Sequence, residues 1–146
     1  MPARPKIYIP LLILCIISLF WFLGAAPFNT RGEPREAVVA MSMLQDGNWI
    51  LPVNNGDEIA FKPPMLHWLV AAFSWLLGGI SEFTSRLPSA LGATGIVLAT
   101  YGFFSRRNDA TAGIIAAIIT LTCFEMHRAA MTCRVCLLYT SDAADE

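Results

Sequence analysis

Two short charged stretches interrupt an otherwise apolar chain, and each contains residue types that could take part in a reaction. The first, "TRGEPRE", carries Glu33, Arg35 and Glu36, and the second, "DEIAFKPP", carries Lys62. A carboxylate can accept a proton during group transfer, whereas arginine and lysine bind phosphate. The same residues would also suit the solvated face of a helix on a membrane surface, or a lysine that reaches the lipid headgroups. Spacing alone leaves both interpretations open.

The composition indicates a membrane protein. Hydrophobic residues make up 55% of the 146 residues and charged residues only 14%, whereas soluble domains carry about 25% charged residues. The uncharged residues form long runs, which is typical of membrane-spanning helices. A net charge of −1 leaves no basic face for nucleic acid.

The four cysteines do not predict a secreted disulfide framework, because Cys15 lies inside an apolar run. Cys133 and Cys136 form a single C-x-x-C pair. One pair without a second is a weak signal for a metal or redox site.

The first apolar run, residues 7–27, predicts a membrane span, because 21 residues of helix cover about 30 Å. Arg4 and Lys6 precede it, so the positive-inside rule places the N-terminus in the cytoplasm. The alternative is a cleaved signal peptide with Gly24 and Ala26 near the cut, but the run is longer than the usual apolar core of such a peptide.

Three further apolar segments follow, at residues 63–77, 87–104 and 110–126. Residues 63–77 are short for a span and contain His67 and two tryptophans, which favour the membrane interface. If this segment crossed the membrane, Arg106 and Arg107 would face outward, against the positive-inside rule. We therefore expect it to lie in the interface, with spans at 87–104 and 110–126 and residues 28–85 outside.

The external segment is expected to contain a second interfacial helix at residues 34–46. Pro34 suits a first helical turn, apolar residues recur with helical spacing, and Gly47 is a plausible stop. Residues 54–64 read as a turn at Asn55-Gly56 followed by extended chain before the prolines.

In order and spacing, "GEPREAVVAMSMLQDGNWILP", "FKPPMLHWL" and "SRLPSAL" resemble the N-terminal part of the GT-C membrane glycosyltransferases of the protein mannosyltransferase and aminoarabinose transferase type. The resemblance implies an all-α integral membrane fold. It would comprise about three transmembrane helices and two juxtamembrane interfacial helices, as the N-terminal part of a larger multi-span protein. It also supports the interfacial placing of residues 63–77.

The resemblance further implies transfer of a sugar from a polyprenyl-phosphate donor to a lipid or protein acceptor, on the external face of what we expect to be the bacterial inner (plasma) membrane. It implies that Arg35 and Lys62 bind the donor phosphate. We expect Glu33 to be the catalytic carboxylate, with Glu36 or a later part of the protein as the alternatives. Gly32 departs from the family pattern, which has an aspartate there. The resemblance leaves room for a divalent cation, although the sequence shows no ligand set for one.

The last residues, 136–146, do not continue the family pattern and resemble translated sequencing-adapter DNA, so we expect a non-native tail and an inactive fragment of a larger enzyme. The alternative is a small non-catalytic membrane protein or assembly subunit. A transporter fragment ranks last, because no charge or Gly/Pro break lies in mid-span.

Overall fold

The computed structural model describes residues 5–28, 32–50, 52–54, 58–59 and 64–133, and these residues are organised almost entirely as helices. The two-residue strands β1 (Val53–Asn54) and β2 (Glu58–Ile59) pair antiparallel, with Val53 opposite Ile59. The helices are α1 (Pro5–Phe20), α2 (Gly32–Asp46), α3 (Met65–Leu77), α4 (Glu82–Arg107), α5 (Ala110–Thr122) and α6 (Phe124–Ala130).

Helices α2 and α3 end at glycines with left-handed backbone conformations. Gly47 has φ +68° and its N–H donates to Met43 O at 3.1 Å. Gly78 has φ +86° and caps α3. Both helices fall where interfacial helices were expected: α2 begins at Gly32 rather than residue 34, and α3 begins at Met65 rather than residue 63.

Helix α4 begins well before the predicted span at 87–104, because Ser81 and Thr84 form a reciprocal cap. The Ser81 hydroxyl accepts from the Thr84 N–H at 3.2 Å, and the Thr84 hydroxyl accepts from the Ser81 N–H at 2.8 Å. Pro88, expected in the first turn of a helix, therefore lies inside α4. At 26 residues, α4 is about 39 Å long.

Helix α1 ends at Phe20, earlier than the predicted span at 7–27. The chain then turns through Leu23, whose N–H donates to Phe20 O, and Ala25, whose N–H donates to Phe22 O. The predicted span at 110–126 is likewise interrupted: Cys123 has an extended backbone, and α5 and α6 meet there at 63°.

Among the described residues, α4 is long and apolar enough to cross a membrane, and the bent pair α5–α6 would be a second candidate if taken as one broken span. The described part of α1 falls short of that length. The predicted number of three spans stays a prediction.

The core lies where α1 and α5 each pack against α4, and its residues recur at intervals of four on each of these helices. Such residues share one helix face. The set comprises Leu11, Cys15 and Leu19 of α1, Ala93, Val97 and Tyr101 of α4, and Ala117 and Leu121 of α5. The outward faces are also apolar, with Ile13, Ile17, Ile115 and Ile119 exposed. Apolar surface on both sides of a helix suits a lipid environment.

Helices α1 and α4 run antiparallel, which separates two chemically different ends. At one end, the Tyr8 ring packs edge-on against Tyr101. Tyr8, Arg106 and Arg107 line one cavity at this end. At the other end, Arg86 contacts the backbone that follows α1. The buried charged residues of the described chain are at this second end.

Candidate functional site

A buried ion pair between Glu33 and Arg86 joins the start of α2 to the second turn of α4. Arg86 Nε donates to Glu33 Oε1 at 3.0 Å and Nη2 approaches Oε2 at 3.4 Å. Glu33 is fully buried and Arg86 is 3% exposed. An arginine fork and a carboxylate match each other's geometry, so the pair fixes both side chains.

The same guanidinium also binds the backbone beyond α1. Nη1 donates to Leu23 O at 3.0 Å and to Ala26 O at 2.8 Å, and Nη2 donates to Pro27 O at 3.2 Å. Carbonyls beyond the end of a helix lack intrahelical partners and favour a cation. Arg86 therefore connects α1, α2 and α4 at one point.

Glu33 also receives a hydrogen bond from the backbone N–H of Cys133, which donates to Oε1 at 3.0 Å. The Cys133 side chain packs with Ala40, Leu66 and Val70. Burial, with smaller contributions from Glu36 and Glu33, raises the pKa of the Cys133 thiol to about 12, while Arg86 opposes the shift. The thiol is therefore neutral and inert at physiological pH.

A second buried pair links α2 to α3. His67 Nε2 lies 2.5 Å from Glu36 Oε2, and the two side chains are 1% and 5% exposed. His67 Nδ1 is buried and has no hydrogen-bond partner among the described residues. We call Glu33, Glu36, His67, Arg86 and Cys133 the buried polar cluster. Glu33 contacts Arg86 and Cys133, and Glu36, one turn further along α2, contacts His67.

A cavity of about 230 Å³ opens beside the Glu33–Arg86 pair. This is below the range of about 300–1,000 Å³ that is typical of ligand pockets. At the cavity, Arg128 of α6 is paired with Glu125 at 2.7 Å. The lining residues are Phe22, Ala26, Glu33, Arg86, Arg128, Met131 and Thr132.

The three predicted site residues have different positions. Glu33 is buried in the cluster, whereas Arg35 is exposed in the first turns of the same helix. Lys62 lies outside the described residues. Gly32 is the first residue of α2, and a Cβ added there would meet nothing within 4 Å.

Sequence reasoning missed three members of the cluster, namely Arg86, His67 and Cys133. Arg86 directly precedes the predicted span at 87–104, and an arginine at the edge of a span was the available signal. His67 was taken only as an interface-favouring residue.

Within the described part of the chain, no group of three His, Cys, Asp or Glu residues could hold a metal ion.

Comparison with known proteins identifies the family to which the chain is similar. A profile of the family described as dolichyl-phosphate-mannose-protein mannosyltransferase matches residues 61–142. The chain is 35% identical over 104 residues to a protein of Shewanella sediminis named undecaprenyl phosphate-alpha-4-amino-4-deoxy-L-arabinose arabinosyl transferase, with 65% of this chain and 19% of the relative covered. A Pectobacterium atrosepticum protein of the same name is 33% identical, with 73% and 20% covered.

An uncharacterized protein of Aquifex aeolicus is 35% identical, with 62% of this chain and 22% of the relative covered. The chain thus spans about a fifth of the length of these relatives. No solved structure matches it.

The family match and the named relatives identify the chain as part of a membrane glycosyltransferase of the GT-C class. Within that class, the chain belongs to the family described as dolichyl-phosphate-mannose-protein mannosyltransferase.

Proposed function

We propose that the protein transfers a sugar from a polyprenyl-phosphate donor to a lipid or protein acceptor at the external face of the bacterial inner membrane. The names of the relatives support a donor linked to undecaprenyl phosphate and an arabinose-type sugar. The hydroxyl of the acceptor attacks the anomeric carbon, and polyprenyl phosphate leaves with the electrons of the broken C–O bond.

The observation that carries this proposal is the Glu33–Arg86 pair with its additional backbone hydrogen bonds. A buried ion pair of this kind needs good geometry and several hydrogen bonds to offset the desolvation of two charges. Here it fixes the start of α2 beside a cavity, and a fixed first turn is what a phosphate-binding Arg35 requires.

Arg35 and Lys62 are the proposed donor-phosphate ligands. Arg35 lies two residues beyond Glu33 on α2, and its side chain is exposed. Lys62 precedes α3 by three residues in the sequence. Positive charge near the leaving phosphate stabilises the negative charge that develops as the C–O bond breaks.

Glu33, the carboxylate expected to be catalytic, is proposed instead as a positioning residue. Both of its oxygens are engaged by Arg86, and Oε1 also accepts from the Cys133 N–H. It would have to give up such bonds before it could take a proton. Its contribution is therefore to hold Arg86 and the chain after α6 in place.

The test uses the full-length gene product, purified in detergent and supplied with polyprenyl-phosphate-linked sugars, aminoarabinose and mannose among them. Arg35→Ala and Lys62→Ala should each raise the donor KM by about tenfold to a hundredfold, because each removes a charge-assisted hydrogen bond of about 1.5–3 kcal/mol. Arg106→Ala, at the opposite end of α4, is the matched control and should leave the KM unchanged. Absence of transfer from every polyprenyl-phosphate sugar would overturn the proposal.

A further inference from the structure

The buried polar cluster contains one buried side-chain atom that is shown without a hydrogen-bond partner, and this atom is His67 Nδ1. Both oxygens of Glu33 are engaged by Arg86, and Glu36 Oε2 is engaged by His67. The thiol of Cys133 is neutral and buried. By contrast, His67 Nδ1 has no partner among the described residues, although the side chain is only 1% exposed.

The pairing with Glu36 determines which ring nitrogen of His67 carries the proton. A carboxylate can only accept, so Nε2 must be the donor, and the neutral ring then presents a lone pair on Nδ1. A carboxylate in this position also stabilises the imidazolium that forms when Nδ1 takes a proton. Glu36 and His67 are therefore arranged as a carboxylate–imidazole dyad whose basic atom faces away from the carboxylate.

A buried nitrogen without a partner is energetically costly, and such groups in folded proteins call for an explanation. A ligand hydroxyl that donates to Nδ1 removes this cost. The ligand must therefore present a hydrogen-bond donor, and the hydroxyl of an acceptor alcohol in sugar transfer is such a donor.

We propose that His67 accepts the proton of the acceptor hydroxyl, with Glu36 orienting the ring; this rests on the proposed function. As the acceptor oxygen bonds to the anomeric carbon, its proton moves to His67 Nδ1 and the bond from that carbon to the phosphate oxygen breaks. The products are the glycosylated acceptor, polyprenyl phosphate and an imidazolium that later returns its proton to water.

Position 32 offers an independent way to test this assignment. Gly32 has no side chain that could take a proton, and the space around its Cβ position is open. Residue 32 lies one turn before Glu36 on α2, and residues four apart share a helix face. An aspartate at position 32 would thus add a second carboxylate on the face of α2 that carries Glu36, without steric conflict.

The experiment measures sugar transfer by the full-length gene product carrying His67→Gln, Gly32→Asp, or both. His67→Gln should lower kcat by about 10²–10⁴-fold, the range for loss of a general base, and leave the donor KM within about threefold. Gly32→Asp in the His67→Gln background should recover at least about tenfold in kcat. His127→Gln, on the other histidine of the chain, is the matched control.

Three outcomes are distinguishable. An active wild-type protein whose kcat is unchanged by His67→Gln would overturn the role of His67 and leave the proposed function standing. Loss of kcat in His67→Gln without recovery by Gly32→Asp, together with a lowered unfolding temperature, would show a structural role and also overturn the assignment. A wild-type protein that transfers no sugar would overturn the proposed function, and the role of His67 with it.

Discussion

At the scale of single residues, Arg86 holds together more of the described structure than any predicted site residue. Its guanidinium reaches Glu33 and three carbonyls that follow α1. Glu33 is 53 positions away in the sequence and the carbonyls are 59 to 63 positions away. No local pattern predicts contacts over such separations, which is why the sequence identified Glu33 but not its partner.

Arg86→Ala should destabilise the protein strongly, because it leaves Glu33 as a buried charge without its guanidinium partner. Breaking a buried pair in this way costs about 3–5 kcal/mol. Arg86→Lys should recover only part of the loss, since an ammonium cannot reproduce the planar fork. Thermal unfolding in detergent measures the effect, with Arg106→Ala as the control. Equal unfolding temperatures for Arg86→Ala and Arg106→Ala would contradict the role assigned to the pair.

Cys133 gives a pH dependence whose sign follows from its raised pKa. The thiol ionises at about pH 12 in the folded protein, compared with the ordinary value of 9.0 in the unfolded chain. Its contribution to stability is therefore complete below pH 9 and is lost as the pH rises from about 9 to about 12. Cys133→Ala should show a weaker loss of stability than wild type across this interval, measured by urea unfolding. If the free energy of unfolding depends on pH in the same way in wild type and Cys133→Ala, the thiol makes no such contribution.

At the scale of elements, the ends of α2 and α3 were more predictable than the continuity of the predicted spans. Gly47 was the predicted stop of α2, and α3 also ends at a glycine, Gly78, because a left-handed residue after a helix favours glycine. The break at Cys123 carried no such signal: neither glycine nor proline stands there, and the apolar run continues into Phe124. A hydropathy pattern detects a continuous apolar segment, but it does not detect a change in the direction of the helix axis within that segment.

The contact between α4 and α5 depends on Gly113. A Cβ at this position would lie 2.9 Å from Ser105 Cβ and 3.0 Å from Tyr101 O. Gly113→Ala should therefore push the two helices apart and destabilise the protein by about 1–3 kcal/mol. Gly95→Ala on α4 is the matched control, because nothing lies within 4 Å of its added Cβ. If Gly113→Ala unfolds at the same temperature as Gly95→Ala, close packing at this glycine is not required.

At the scale of the whole molecule, the antiparallel arrangement of α1 and α4 separates a basic end from the end with the buried polar cluster. Lys6 and Tyr8 begin α1, and Arg106 and Arg107 end α4, on the side where Tyr8 meets Tyr101. Basic residues concentrate on the cytoplasmic side of membrane proteins. This arrangement supports the proposed topology, in which the cluster lies outside.

The proposed topology predicts which side of the membrane each end faces. In a variant whose native cysteines are replaced by serine, a cysteine at Arg106 should react with a membrane-impermeant maleimide only in inverted vesicles. A cysteine at Asp46, exposed at the end of α2, should react in spheroplasts with an intact inner membrane. The two cysteine variants control for reagent access, because in each preparation one site should react and the other should not. If the labelling pattern is reversed, the cluster faces the cytoplasm, and transfer at the external face is excluded for this protein.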